Sequence, residues 1–328
     1  MPPRHHRHAG LFRTDSTVAV TDPDAKPLSA VQEIDDARLR RHGVRLWLKR
    51  DDLLDARVPG NKWRKLRHNL SAARADGHDT LVTFGGAYSH HIAATAAAGR
   101  RDGFSTVGVI RGEERLPLNP ILAGARADGM RLTYLDRSSY RRKTEPEILD
   151  RLCARYGRCY VIPEGGSNPA GVMGCRELGT ELIGQLKPDL VWCPVGSGGT
   201  LAGLAAGVDG TPTTGVCVLR GDGFMDGAVE RLQVDAFGRR LGTWRVLYGH
   251  HHGGYAKVSA ELDDFIDEFR VRHGVALEPI YVAKSLYALY RHVDEGRIAV
   301  GSRVVTIVTG PRLQASPRSS RSNSREAR

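Results

Sequence analysis

The stretch "DLVWCPVGSGGTLAGLAAG", residues 189–207, sets a short apolar run against a glycine turn and then a run of small helix formers. Leu190, Val191, Trp192, Cys193 and Val195 read as a strand covered on both faces, and a helix restarts beyond the turn. Successive backbone N–H groups in such a turn form an anion cradle at the helix N-terminus. Gly196, Gly198 and Gly199 leave the cradle open, and Ser197 and Thr200 add hydroxyl donors. Spacing disfavours the two commonest nucleotide readings. A G-x-G-x-x-G fingerprint from Gly196 needs glycine where Leu201 stands, and one from Gly221 needs it where Asp226 stands. No G-K-[ST] run at Walker spacing occurs. A cradle for a phosphate monoester is the favoured reading.

Outward from this unit the same alternation continues. "TLVTFGG", "STVGVIRG", "MRLTYLD", "CYVIPEGG", "TGVCVLR", "WRVLYG" and "RVVTIVTG" read as further buried strands, with helical patterns between them, several ending in glycine. Strand–helix alternation predicts parallel sheets covered by helices, as one barrel or as two open sheets. No repeat of about 20–50 residues favours an array. Two more strand ends carry glycine pairs before a helix: Gly85-Gly86 ahead of Ser89, and Gly165-Gly166 ahead of Ser167 and Asn168. In open parallel sheets, ligands bind beyond such carboxyl ends.

A second stretch, "VPGNKWRKLRHNL" (58–70), places Lys62 at the start of a helix, where partial positive charge disfavours a cation. Lys62, Arg64 and Lys65 could form a solvated basic face. Alternatively, nearby cations depress the pKa of Lys62 and make it a nucleophile toward a carbonyl cofactor. A cofactor with an aldehyde at one end and a phosphate at the other, pyridoxal 5′-phosphate, would use both the lysine and the cradle.

Composition narrows the classes. The 328 residues are 41% apolar, and no stretch approaches the roughly 20 apolar residues of a membrane span. The N-terminal residues lack an apolar core and cleavage site, so no secretory signal is expected. Cys153, Cys159, Cys175, Cys193 and Cys217 have no metal-type spacing, and reduced thiols in a cytoplasm are expected. The net charge of +11 raises nucleic acid as a partner, yet residues 311–328 hold five arginines against one glutamate. The rest of the excess is scattered without an aromatic-interleaved face, so no nucleic-acid partner is expected. The clusters His5, His6, His8 and His250, His251, His252 lack the defined ligand set of a metal site, and none is expected.

Six ordered motifs carry a family likeness: "KRDDLLDARVPGNKWRKL", "GGAYSHHIAATAAAG", "PEGGSNPAG", "PVGSGGTLAGLAAG", "LEPIYVAKS" and "VVTIVTG". Together they resemble the D-cysteine desulfhydrase and 1-aminocyclopropane-1-carboxylate deaminase family of tryptophan synthase β-type pyridoxal-phosphate enzymes. The resemblance implies an α/β fold of two open, mostly parallel twisted sheets with the cofactor between them. It implies a larger domain of residues 1–66 and 164–310 and a smaller inserted domain of 67–163; beyond it, composition alone predicts a disordered Arg/Ser-rich tail over 311–328. The resemblance also implies a homodimer acting on a small amino acid.

By the same likeness Lys62 is the Schiff-base lysine, Asn61 completes the family's G-N-K, and Gly196, Ser197, Gly198, Gly199 and Thr200 hold the phosphate. Ser89 lies over the cofactor, Tyr255 and Tyr281 face the substrate, and Thr309 partners the pyridine nitrogen. His90 stands where the family commonly has an asparagine on the cofactor's phenolic oxygen, and an ordinary histidine would titrate there near neutrality. Val282 stands where the aminocyclopropane deaminases have glutamate. Val308 and Pro311 replace a histidine and a glycine of the family's last motif. The implied reaction is β-elimination, most similar to D-cysteine desulfhydration to pyruvate, ammonia and sulfide. Aminocyclopropane-carboxylate deamination and a catalytically impaired pyridoxal-phosphate-binding or regulatory protein are the alternatives.

Overall fold

The computed structural model describes residues 28–310. The strands are β1 (Val31–Ile34), β2 (Arg45–Lys49), β3 (Thr80–Gly85), β4 (Ser105–Arg111), β5 (Arg131–Leu135), β6 (Cys159–Ile162), β7 (Leu190–Val195), β8 (Thr213–Cys217), β9 (Trp244–Leu247) and β10 (Arg303–Ile307). They form two separate sheets, ordered β1-β2-β10-β7-β8-β9 and β5-β4-β3-β6. Only the β1–β2 pair is antiparallel. The barrel alternative is thereby excluded.

Period-two alternation explains how one strand serves two cores. On β7, Trp192 enters a cluster with Phe265, Phe269, Leu286 and Tyr290, whereas Val191, Cys193 and Val195 enter another with Leu201, Val229 and Trp244. The first cluster is covered by helices Ala260–His273 and Val282–Asp294, the second by Pro169–Gln185, Gly199–Gly207 and Phe224–Phe237. Trp192 is fully buried and donates its Nε1–H to the Ser285 carbonyl at 2.8 Å, so its polar atom is satisfied. In the smaller sheet, Leu81 faces the helices Asn61–Ala75 and His90–Asp102, while Val82 and Phe84 face Pro146–Tyr156.

All five cysteines are unpaired. Among the described residues no helix is long and apolar enough to cross a membrane. The arginine-rich segment 311–328, with Pro311, and the histidines at 5, 6 and 8 lie outside the described residues.

Candidate active site

Both sheets turn carboxyl ends of their strands toward one cavity of about 430 Å³. Gly86 follows β3, Arg111 ends β4, Glu164 and Gly165 follow β6, Gly196 follows β7 and Thr309 follows β10, and all of them line it. The helix Asn61–Ala75 supplies Asn61, Lys62 and Lys65 to the same walls.

That helix begins under tight constraint. Its cap, Gly60, has φ of 69°, and a Cβ there would lie 2.0 Å from the Thr309 carbonyl oxygen. The Asn61 N–H donates to that oxygen at 3.1 Å, tying the helix start to the end of β10. Lys62 is half-buried against the cavity, and its Nζ donates to Asn61 Oδ1 at 2.7 Å. The Asn61 amide in turn donates to Thr200 Oγ1 at 2.9 Å, linking the lysine to the glycine loop.

Burial, and then the neighbouring Lys65 ammonium, pull the Lys62 pKa down to about 7. An ordinary lysine is protonated at that pH; this one is half neutral. The neutral amine is the nucleophile, so its capture of an aldehyde cofactor rises with pH up to about 7 and then levels. Mixing cofactor-free protein with pyridoxal phosphate from about pH 5.5 to 9 should show that plateau in the rate at which lysine-bound absorbance grows. A rate still climbing steeply at about pH 9 would mean an ordinary lysine.

Opposite, Gly196, Ser197 and Gly198 lead into the helix Gly199–Gly207. Gly198 adopts φ of 83°, and a Cβ on Gly199 would come within 2.6 Å of Ser167 Oγ and 3.1 Å of Lys65 Nζ. Lys65 is 2% exposed and donates to the Gly165 carbonyl at 3.0 Å and to Ser167 Oγ at 3.1 Å. Ser167 and Ser197 hydroxyls meet at 2.6 Å. The solvated-face reading of Arg64 and Lys65 therefore fails: Arg64 is 3% exposed and buried in an ion-pair network on the side away from the cavity. Lys65 was missed as a site residue, although its spacing of three from Lys62 puts both on one helix face.

Ser89 caps the helix His90–Asp102, with Oγ accepting from the Ile92 N–H at 3.5 Å. His90 lines the cavity, and burial followed by the Lys62 charge lowers its pKa to about 4. It is thus neutral across the ordinary range, and the expected titration near neutrality does not occur. Its neighbour His91 also lines the cavity at 2% exposure. Thr83 donates to the Ile162 carbonyl, so His91 Nε2 donates to Thr83 Oγ1 at 2.8 Å, which leaves its Nδ1 without a partner among the described residues.

Tyr255 and Tyr281 stand edge to face with centroids 6.0 Å apart, both on the cavity. Burial pushes both phenol pKa values up, so both stay protonated donors. Glu278 is 3% exposed and accepts from the N–H groups of Ile280, Tyr281 and Val282, fixing the turn that presents Tyr281. Lys284 Nζ donates to the Gly254 carbonyl at 2.9 Å and so holds the loop carrying Tyr255. Val282 and Val308 are each 1% exposed and bring no polar group. His251 and His252 bond to Gly253 and Ser259, and among the described residues no cluster of ligating side chains could hold a metal.

The residues fit pyridoxal phosphate: a depressed-pKa lysine and an open glycine cradle flanked by Lys65, Ser197 and Thr200 face one cavity. The likeness to known proteins agrees. Residues 27–310 match the family described as pyridoxal-phosphate dependent enzyme. A protein of Pyrococcus horikoshii provisionally named 1-aminocyclopropane-1-carboxylate deaminase is 31% identical over 280 residues, covering 83% of this chain and 86% of that one. A mitochondrial Arabidopsis thaliana protein named bifunctional D-cysteine desulfhydrase/1-aminocyclopropane-1-carboxylate deaminase is 29% identical over 297 residues, 82% of this chain and 73% of its own. The crystal structure of an aminocyclopropane-carboxylate deaminase homologue superposes with a TM-score of 0.76 at 29% identity, over 86% of this chain and 89% of that one. With fold, cavity and sequence in agreement, this chain belongs to the pyridoxal-phosphate dependent enzymes.

Proposed function

We propose that the enzyme catalyses β-elimination on a small amino acid, D-cysteine in the first place, giving pyruvate, ammonia and sulfide. The observation that carries this is Lys62, a lysine near neutrality at the cavity wall facing the glycine loop. Bound there, pyridoxal phosphate supplies an aldehyde for the substrate amine and an electron-withdrawing ring that acidifies the α-C–H. Gly196, Ser197, Gly198, Gly199, Thr200 and Lys65 hold its phosphate. Asn61 orients the Lys62 amine, which takes the α-proton as general base. Ser89, with the N-terminus of the helix His90–Asp102, receives the substrate carboxylate. His90, neutral, donates to the phenolic oxygen. Thr309, on the cavity wall, would offer the ring nitrogen an uncharged hydroxyl partner. The protonated Tyr255 and Tyr281 face the substrate and can donate to the departing group.

Aminocyclopropane-carboxylate deamination is the second reading, supported by the names that some of the relatives bear. The buried, apolar Val282 weighs against it, because no carboxylate replaces the family's glutamate there. Comparing products from D-cysteine, L-cysteine, D-serine and the cyclopropane amino acid decides the matter. Pyruvate from D-cysteine should lead. α-Ketobutyrate exceeding it would assign the deaminase, and silence on all four would favour an impaired relic. We further propose a homodimer in the cytoplasm, with residues 67–163 as the smaller inserted unit between 1–66 and 164–310.

A further inference from the structure

Five charged side chains line the cavity: Lys62, Lys65, Arg111, Glu164 and Glu278. Four have an account. Lys62 is the cofactor lysine of the proposed function, and Lys65 is bonded beside the glycine loop. Glu278 is taken up by backbone N–H groups, and Glu164 pairs with Lys143 at 3.3 Å. Arg111 alone remains: among the described residues its guanidinium makes no hydrogen bond and no ion pair.

Its place is informative. Arg111 is the last residue of β4, exposed at the carboxyl end where the sheet meets the cavity. A Cβ on Gly86 would lie 3.7 Å from its Nη2, so the guanidinium overlooks the turn leading to Ser89. Its charge also reaches the Tyr255 phenol on the other side. The cation thus stands between two elements that face the substrate, with its donors free. A guanidinium in such a position is suited to bidentate recognition of a carboxylate or phosphate. The substrate's α-carboxylate already has the start of the helix His90–Asp102.

We propose that Arg111 is a specificity-determining residue that takes a second anionic group, at the side-chain end of the substrate. Small α-amino acids whose Cβ bears an anionic group, a carboxylate or a phosphate ester, are then bound in preference to their uncharged counterparts, while the reacting substrate remains that of the proposed function. The inference rests on the proposed function, since it needs Lys62 to carry the cofactor and an amino acid to enter above it.

The test uses matched pairs on the pyridoxal-phosphate-loaded protein: aspartate against asparagine and O-phosphoserine against serine, in both hands. The half-saturating concentration is read from the shift of the cofactor absorbance and, independently, by calorimetry. The anionic member of a pair should bind about tenfold more tightly, as one charge-assisted bidentate contact allows. That advantage should shrink with added salt. In Arg111→Gln the ratio within a pair should fall toward one, and Arg111→Lys should restore it in part. A ratio near one in the unaltered protein overturns the inference. So does a ratio that survives Arg111→Gln while both members weaken together, which would give Arg111 to the α-carboxylate. Absence of any lysine-bound cofactor band would remove the parent reading and this one with it, whereas a band without discrimination removes only this one.

Discussion

Lys62→Ala yields a protein that folds, no longer shows lysine-bound cofactor absorbance, and gives no covalent adduct on borohydride reduction. Turnover falls by about a thousandfold or more, since both the covalent anchor and the general base are lost. The fold survives because, among the described residues, Lys62 Nζ bonds only to its neighbour Asn61 and not to another element. Lys65 is the rival attachment point because it lines the same cavity, yet its ammonium is committed to Gly165 and Ser167. Lys284 is a second rival by its depressed pKa of about 8, yet it is fully buried against Gly254 and does not line the cavity. A borohydride adduct persisting in Lys62→Ala, mapped by peptide mass, would move the cofactor to one of these two.

Arg64→Ala should be the most damaging change to stability in this region. Its guanidinium donates to both carboxylate oxygens of Asp51, at 2.9 and 3.2 Å, and to Glu181 at 2.6 Å. Asp51 is wholly buried, and Ser29 and Lys49 complete the network around it and Glu181. Truncating one partner leaves buried carboxylates short of a counter-charge, which costs about 3–5 kcal/mol. Urea unfolding followed by circular dichroism measures it through the midpoint at constant slope. A loss below about 1 kcal/mol would mean that water enters and solvates the carboxylates.

Most strands were legible because buried parallel strands are short apolar runs punctuated by glycine, as in "TLVTFGG" and "RVVTIVTG". β1, "VQEI", was not: as an antiparallel edge strand it is mostly half-exposed and lacks that apolar run. The helix Phe224–Phe237 is weakly marked, since it opens behind the glycine-rich "GDG" and carries Gly227 inside. At the site, the backbone features were readable because glycine pairs and cap residues announce themselves locally. Side-chain burial did not announce itself. Lys65, Arg64 and Glu278 look like surface charge in one dimension, and only the packing of distant segments makes their partners visible. Arg111 sits in "STVGVIRG" as an ordinary polar stop to a strand, and nothing local says that a cavity lies beside it.

The opening turn of the helix Asn61–Ala75 assigns its basic residues to separate tasks: Lys62 to the cavity, Arg64 to the buried carboxylates behind, Lys65 to the neighbourhood of the glycine loop. Successive helical residues are about 100° apart in azimuth, so these assignments are a matter of phase as much as of identity. One residue gained or lost between Gly60 and Lys65 would swing those downstream of it by that angle, bringing a charge that needs a carboxylate to face the cavity instead. The helix can drift in composition at exposed positions such as Ser71 and Arg74, but the length of its opening turn is frozen.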